Sequence, residues 1–239
     1  MRSFYFLFIA LLVGFCSSFA QKIEQKKPDL NDLISLLETK GYELFSFDIS
    51  GLSDKRYDMA FSIREYSNGQ KIKDDIMPWN QSFSNMQMLD DFSEKSRREI
   101  LPEEMADAAK GIYRLANKIT VGLAPENDST KTVKFEVENM GAVMSRLSLR
   151  GQTNKNTGKI FYSYNTRPFE LDRKIELDTF IPLVLVGSVW FDPNFNIYRF
   201  CGENRISPDL SSEIVSYIPH FYVIGFKITP HGDKQKKSN

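Results

Sequence analysis

The sequence predicts an α+β protein that is mainly antiparallel β-structure, β-sandwich-like or a helix-backed sheet, with about ten strands and roughly three or four short helices. Three observations predict it. Apolar residues alternate with polar ones along many segments, as at Tyr57, Met59, Phe61 and Ile63 against Asp58, Ser62 and Arg64, which gives each strand one wet face. Asn68-Gly69 ends one such run, and both residues tolerate the positive φ of a tight hairpin turn. No regular strand–helix alternation occurs, so a doubly wound parallel sheet is not expected.

The chain opens with the pattern of a cleavable export signal. Arg2 is the only charge among the first twenty residues, Phe4 to Phe15 (FYFLFIALLVGF) is the apolar region, and Ser18 and Ala20 are small. Signal peptidase has shallow pockets for the third and the last residue before its cut, which places cleavage between Ala20 and Gln21. The uncharged run Ser3 to Ala20 is at the lower limit of about 18 residues for crossing a bilayer, and the polar stretch before the cut favours removal over anchoring. Cys16 follows Phe15 rather than a small residue, with Gly14 one step too early, so acylation as a lipoprotein is not expected. The junction Ser18-Phe19-Ala20-Gln21 resembles signal peptides of Bacteroidota. With the general make-up of the chain, it is similar to secreted Bacteroidota proteins of uncharacterised families of unknown function. That resemblance implies no site residues.

Residues 21–28 (QKIEQKKP) read as a flexible leader. Asp29 or Asn31 can cap a helix that runs to about Lys40, with Leu30, Leu33, Ile34 and Leu37 on one face and Gly41 ending it. Strands are predicted over 42–50 and 56–66. A helical insert is expected at 77–111, where Met88, Leu89, Phe92 and Ile100 mark a face and Pro102 ends or restarts the helix. Alternation returns at Tyr113 to Leu123, Val133 to Val137, Val143 to Leu149 and Ile160 to Tyr164, with a turn-rich loop at 151–158. Ile181 to Phe191 (IPLVLVGSVWF) is apolar on both faces and reads as the most buried, central strand. Asp192-Pro193-Asn194 turns the chain into Phe195 to Cys201. Ser207 and Pro208 predict a helix N-terminus, with Leu210, Ile214, Tyr217 and Ile218 inside. A last strand covers 221–229. The expected organisation is a signal peptide at 1–20, a single β-rich domain at 29–230 and a disordered tail at 231–239.

Composition narrows the function classes. The chain carries 31 basic and 31 acidic side chains, so no positive excess exists for a phosphate backbone and nucleic acid is not an expected partner. After the leader no further long apolar run appears, so no transmembrane span is expected in the mature chain. Cys201 is then the only cysteine, which removes an internal disulfide.

Candidate chemistry is sparse. Cys201 and His220 would need contact to act as a nucleophile and its base, and parity points both toward a core. His231 with Asp233, Asp74-Asp75 and Asp90-Asp91 lack the spacing of zinc or calcium sites. Glu136 and Glu138 beside Lys134, or Asp192 and Glu203 near Trp190, are the acidic residues from which a glycosidase pair would be drawn. Nucleophile elbows, phosphate loops and dinucleotide fingerprints do not occur. Phe161, Tyr198 and Phe200 fall off the apolar parity of their strands, and are read as a second core face rather than an exposed sticky one. No residue is assigned as catalytic, cofactor-binding or metal-ligating, and no cofactor is expected. The expectation is an exported protein, periplasmic or extracellular, that binds a protein or glycan partner at the cell envelope without catalysis. A secreted glycan hydrolase with an unidentified carboxylate pair and a structural or assembly component of the envelope are the alternatives.

Overall fold

A computed structural model describes residues 26–52, 55–77, 85–171 and 176–230, with side chains at 76 and 77 excepted. The predicted signal peptide with its cleavage site, and the tail at 231–239, lie outside the described residues. The chain divides into two compact units, Met1–Leu36 and Leu37–Asn239. Helix α1 (Leu30–Thr39) begins in the first. The Asp29 carboxylate caps it, accepting from the amides of Asn31 at 2.8 Å and Asp32 at 3.1 Å.

The second unit is a succession of short elements. In order they are β1 (Glu43–Asp48), β2 (Tyr57–Ser67), β3 (Gln70–Met77), β4 (Met86–Met88), α2 (Glu94–Ile100), β5 (Ala106–Asp107), β6 (Ile112–Arg114), β7 (Lys118–Asn127) and β8 (Thr130–Val137). There follow β9 (Gly141–Ser148), β10 (Gln152–Thr153), β11 (Ile160–Phe161), β12 (Tyr164–Pro168), β13 (Phe180–Ser188), β14 (Trp190–Asp192), β15 (Ile197–Arg199), α3 (Glu213–Tyr217) and β16 (His220–Pro230). Sixteen strands and three α-helices are therefore seen among the described residues. The predicted ten or so strands fall short because several ladders are two or three residues long, too short for alternation to register.

All strand pairs in the named sheets are antiparallel. One sheet has the order β1-β7-β8-β9 and the other β12-β13-β16-β2-β3; β4-β6-β5 form a third, and β10-β11 and β14-β15 are separate ribbons. The β2–β3 hairpin turns on Asn68 and Gly69, at φ 47° and 75°, as their chemistry predicts.

The two large sheets contribute to one core. Ile119, Val121, Leu123, Val133, Phe135 and Leu147 from the first pack with Met59, Phe61, Ile63, Val184, Val186, Ile224, Phe226 and Ile228 from the second. At their contact the Phe61 and Phe135 rings stack with centroids 4.5 Å apart. A smaller cluster, with Leu185, Phe221 and Val223 against Ile214, Val215 and Ile218, joins β13 and β16 to α3. Alternate residues of these two strands thus enter different clusters. That explains why β13 reads as apolar on both faces. It is not the central strand, however: β16 holds that place, with β13 and β2 on either side. The close approach of the β13 chain depends on Gly225 of β16, where an added Cβ would sit 2.2 Å from the Ile181 carbonyl.

The predicted helical insert is also corrected. Within 77–111 the described residues hold one seven-residue helix, α2, with Ser93 accepting from the Ser96 amide as its cap. Met88 belongs to strand β4, and Leu89 to a 3₁₀ turn. The apolar side chains in this stretch satisfy a small three-stranded sheet as well as they would a helix face, and periodicity cannot separate the two over so few residues.

Candidate functional site

The carboxyl-terminal third builds an open cleft of about 510 Å³, walled by the β14–β15 hairpin on one side and α3 on the other. The hairpin pairs Trp190 with Arg199, Phe191 with Tyr198 and Asp192 with Ile197. Its turn is set locally. Asp192 accepts the Asn194 amide at 2.9 Å, and Asn196 takes a φ of 54°, a conformation Asn adopts more readily than most residues. Arg199 Nη1 closes on Asp192 Oδ2 at 2.6 Å and lies over the Phe195 ring, 5.5 Å from its centroid.

The opposite wall starts from Glu203. Its two carboxylate oxygens accept the amides of Glu213 at 2.8 Å and Ile214 at 3.2 Å, so a side chain ten residues upstream caps α3. Its own backbone amide, followed by those of Glu213 and Ile214, holds the Glu203 carboxyl below its ordinary range. Sequence reasoning puts the helix start at Ser207-Pro208; the structure delays it to Glu213. Leu210 has a φ of 64°, which no right-handed helix can include, so 207–210 is a turn instead. Ile214 and Ile218 point into the core as predicted, while Tyr217 is half exposed and faces the cleft. Gly202, on the floor, has a φ of 140°, and its missing Cβ leaves room for Ile214, which would otherwise be met at 3.1 Å. Arg167 anchors the floor loop by donating to the carbonyls of Glu203 at 3.2 Å and Phe200 at 3.3 Å.

Aromatic rings line the result. Trp190 and Tyr217 stack with centroids 5.6 Å apart and planes 22° from parallel. Phe200 supports Trp190 from the core at 6.0 Å. Phe195, at the hairpin tip, is 67% exposed. Tyr217 donates to Glu213 Oε1 at 2.9 Å, which raises its own pKa and fixes a carboxylate at the edge of the platform. Asp192, Glu203 and Glu213 line the cleft against a single cation, Arg199.

The residues singled out in the sequence separate accordingly. Trp190, Asp192 and Glu203 meet in this cleft. Cys201 is exposed and also lines it, so parity misplaced it. His220 is buried elsewhere, so the two do not form a catalytic pair. Asp74 takes Ser62, Arg64 and Lys71 as partners at 2.8, 3.0 and 3.3 Å, and Asp75 takes Lys73 at 2.6 Å. Asp90 and Asp91 face Arg97 and Arg56, at 3.2 and 3.8 Å. Glu136 pairs with Lys134, and Glu138 accepts the Asn117 amide at 3.1 Å. Among the described residues no three His, Cys, Asp or Glu side chains gather in a way that would hold a metal ion. His231 and Asp233 lie outside the described residues. Of the off-parity aromatics only Phe200 packs against a core cluster; Phe161 and Tyr198 are half-buried and pack edge-on against each other at 4.8 Å, outside both clusters. Their on-parity neighbours Ile160 and Ile197 are the exposed ones, at 68% and 48%.

A second polar constellation has no signal in the sequence. His220 Nε2 meets Glu65 Oε1 at 2.9 Å, and Nδ1 meets the Tyr164 hydroxyl at 2.6 Å. That hydroxyl accepts the Arg150 amide at 2.9 Å, while the Arg150 guanidinium reaches the same Glu65 oxygen at 3.0 Å. His220, Glu65 and Tyr164 come from three different strands, and Arg150 from the segment between β9 and β10. One assignment satisfies all of them: Nε2–H donating to Glu65 and Nδ1 accepting from Tyr164. Burial raises the Tyr164 pKa to about 12 and lowers that of His220. A neutral histidine in a closed set of bonds is a structural joint.

The pattern of one protein family matches residues 14–230, nearly the whole chain and all of the elements above. The chain belongs to the family described as Domain of unknown function (DUF5041). No curated protein and no solved structure is detectably similar to it. In this DUF5041 member the cleft between hairpin and α3 gathers aromatic rings, three carboxylates and one arginine around one opening.

Proposed function

We propose that this chain is an exported cell-envelope protein that binds a glycan, without catalysis, in the cleft between the β14–β15 hairpin and α3. The observation that carries the reading is the Trp190–Tyr217 stack, open to solvent on the Tyr217 side. Sugar rings present apolar C–H faces that pack on aromatic rings, with hydroxyls at their edges for polar groups to bind. Here the polar edge is supplied by Glu213, tied to the Tyr217 hydroxyl. Export is supported by Arg2, the apolar run and the small residues Ser18 and Ala20.

Hydrolysis is the second reading, because three carboxylates share the cleft. It needs one of them protonated near neutrality, to serve as general acid. Glu203 is held ionised by helix amides, and Asp192 is committed to Arg199. Those two are occupied, which leaves Glu213 as the carboxylate a hydrolase would have to use.

The test is a panel of oligosaccharides titrated calorimetrically against residues 21–239, with product analysis alongside. Binding without cleavage, weakened about tenfold by Tyr217→Ala, is the expected result. Turnover of any member, abolished by Glu213→Gln, would transfer the case to the hydrolase. Export is checked separately, by the amino terminus of the protein recovered from its host, expected at Gln21; an intact Met1 on protein from the cytosolic fraction would overturn it.

A further inference from the structure

The groups lining the cleft are unevenly matched in what they can recognise. A sugar hydroxyl both donates and accepts, so a site for neutral glycans normally offers both kinds of partner. Besides the neutral side chains of Asn194 and Trp190, this cleft offers an excess of carboxylates: Asp192, Glu203 and Glu213. Its one cation, Arg199, is already closed on Asp192 at 2.6 Å. The Tyr217 hydroxyl spends its proton on Glu213. A uronate, sulfate or phosphate entering the cleft would meet repulsion with no free cation to offset it.

A protonated amine meets the reverse. Tyr217, half exposed and stacked on Trp190, attracts a cation through its ring quadrupole. The Glu213 carboxylate is bonded to the edge of that ring, within reach of the same group for a charge-assisted hydrogen bond. Phe195, 67% exposed, supplies a further apolar surface on the far wall. Aromatic faces flanked by carboxylates are the chemistry by which ammonium groups are recognised, and here they lie in a cleft large enough for a sugar ring.

From this we infer that the cleft selects glycans bearing a free, protonated amino sugar, with the ring stacked on Tyr217 and its ammonium at Glu213, and that it rejects acidic glycans. This rests on the glycan reading above. Three probes separate the two: a fully deacetylated glucosamine oligomer, its N-acetylated counterpart of equal length, and an oligogalacturonate. They are titrated into residues 21–239 at about pH 6, where the sugar amine is charged and carboxylates are ionised.

The deacetylated oligomer is expected to bind about tenfold more tightly than the acetylated one, and the oligogalacturonate not at all. That advantage should disappear in Glu213→Gln and shrink in about 0.5 M salt, whereas Tyr217→Ala should weaken both sugars. Equal affinity for the acetylated and deacetylated oligomers, or binding of the galacturonate, would overturn the charge preference and leave glycan binding standing. Absence of binding by all three would overturn the amino-sugar inference, and the glycan reading would fall with it only if the wider oligosaccharide panel also failed to bind. A lysine-rich peptide that displaces the deacetylated oligomer at equal concentration and binds as tightly would show that the amine of a protein, not of a sugar, is the recognised group, and would also overturn the inference.

Discussion

His220 is 3% exposed, and its two ring nitrogens are held by Tyr164 and Glu65. Tyr222 and Arg150 complete its surroundings. Burial is the main reason its pKa is lowered, outweighing the hydrogen bond to Glu65, which acts the other way. A depressed histidine binds fewer protons in the folded chain than in the unfolded one. Its contribution to stability is thus complete above the unfolded value of about 6.5 and is lost as pH falls toward and through the lower folded value. The urea midpoint is expected to hold steady from mildly alkaline to neutral pH and to fall across the mildly acidic range. His220→Gln should be less stable at neutral pH by about 1–3 kcal/mol, since it leaves buried Tyr164 and Glu65 short of partners, and should lose most of that acid slope. A wild-type midpoint that is flat through the same range would contradict this account.

At the scale of elements, α3 is five residues long and depends on a distant cap. No helix of that length is stable alone. Ile214 and Ile218 fasten it to the second core cluster, and Glu203 occupies two of its free amides. Glu203→Ala is expected to speed hydrogen exchange at Glu213 and Ile214 and to weaken any ligand that uses Tyr217, while the unfolding midpoint changes little. Unchanged exchange at those two amides would show that the packing of Ile214 alone sets the helix. The cap has a sign in pH as well. Its carboxyl is lowered, so the contribution is present above the ordinary glutamate range and is lost as acid protonates the folded group. This element was only partly legible from the sequence: Ile214 and Ile218 announced an apolar face, but Ser207-Pro208 offered a start signal that Leu210 cancels by its backbone conformation.

For the whole molecule, the deciding feature is the core shared by two sheets. Phe135 belongs to β8 and packs on Phe61 at 4.5 Å and Phe226 at 6.4 Å, both in the other sheet. Phe135→Ala is expected to cost about 3–5 kcal/mol. Both sheets should then unfold in one transition, read by far-ultraviolet circular dichroism and tryptophan fluorescence together. Two separated transitions in the wild-type chain would mean that the sheets do not depend on each other.

By itself the sequence determined what is local. Alternation at Val133–Val137 set which residues face inward, Asn68-Gly69 set a hairpin, and doubly apolar β13 announced a strand covered on both sides; at Tyr57–Ile63 alternation marked the apolar face, but the expected wet face is covered too, with Asp58 and Ser62 buried. These are properties of a residue and its near neighbours, imposed by the two-residue period of a strand and by φ at a turn. Only the tertiary structure decided that β16 is central, that Glu203 caps α3, that Trp190 stacks on Tyr217, and that His220 meets Glu65 across the sheet. Each of those joins residues whose separation in the chain carries no periodic trace. Pairing order and side-chain contacts are chosen by the fit of whole faces to one another, a quantity that no short window of sequence contains.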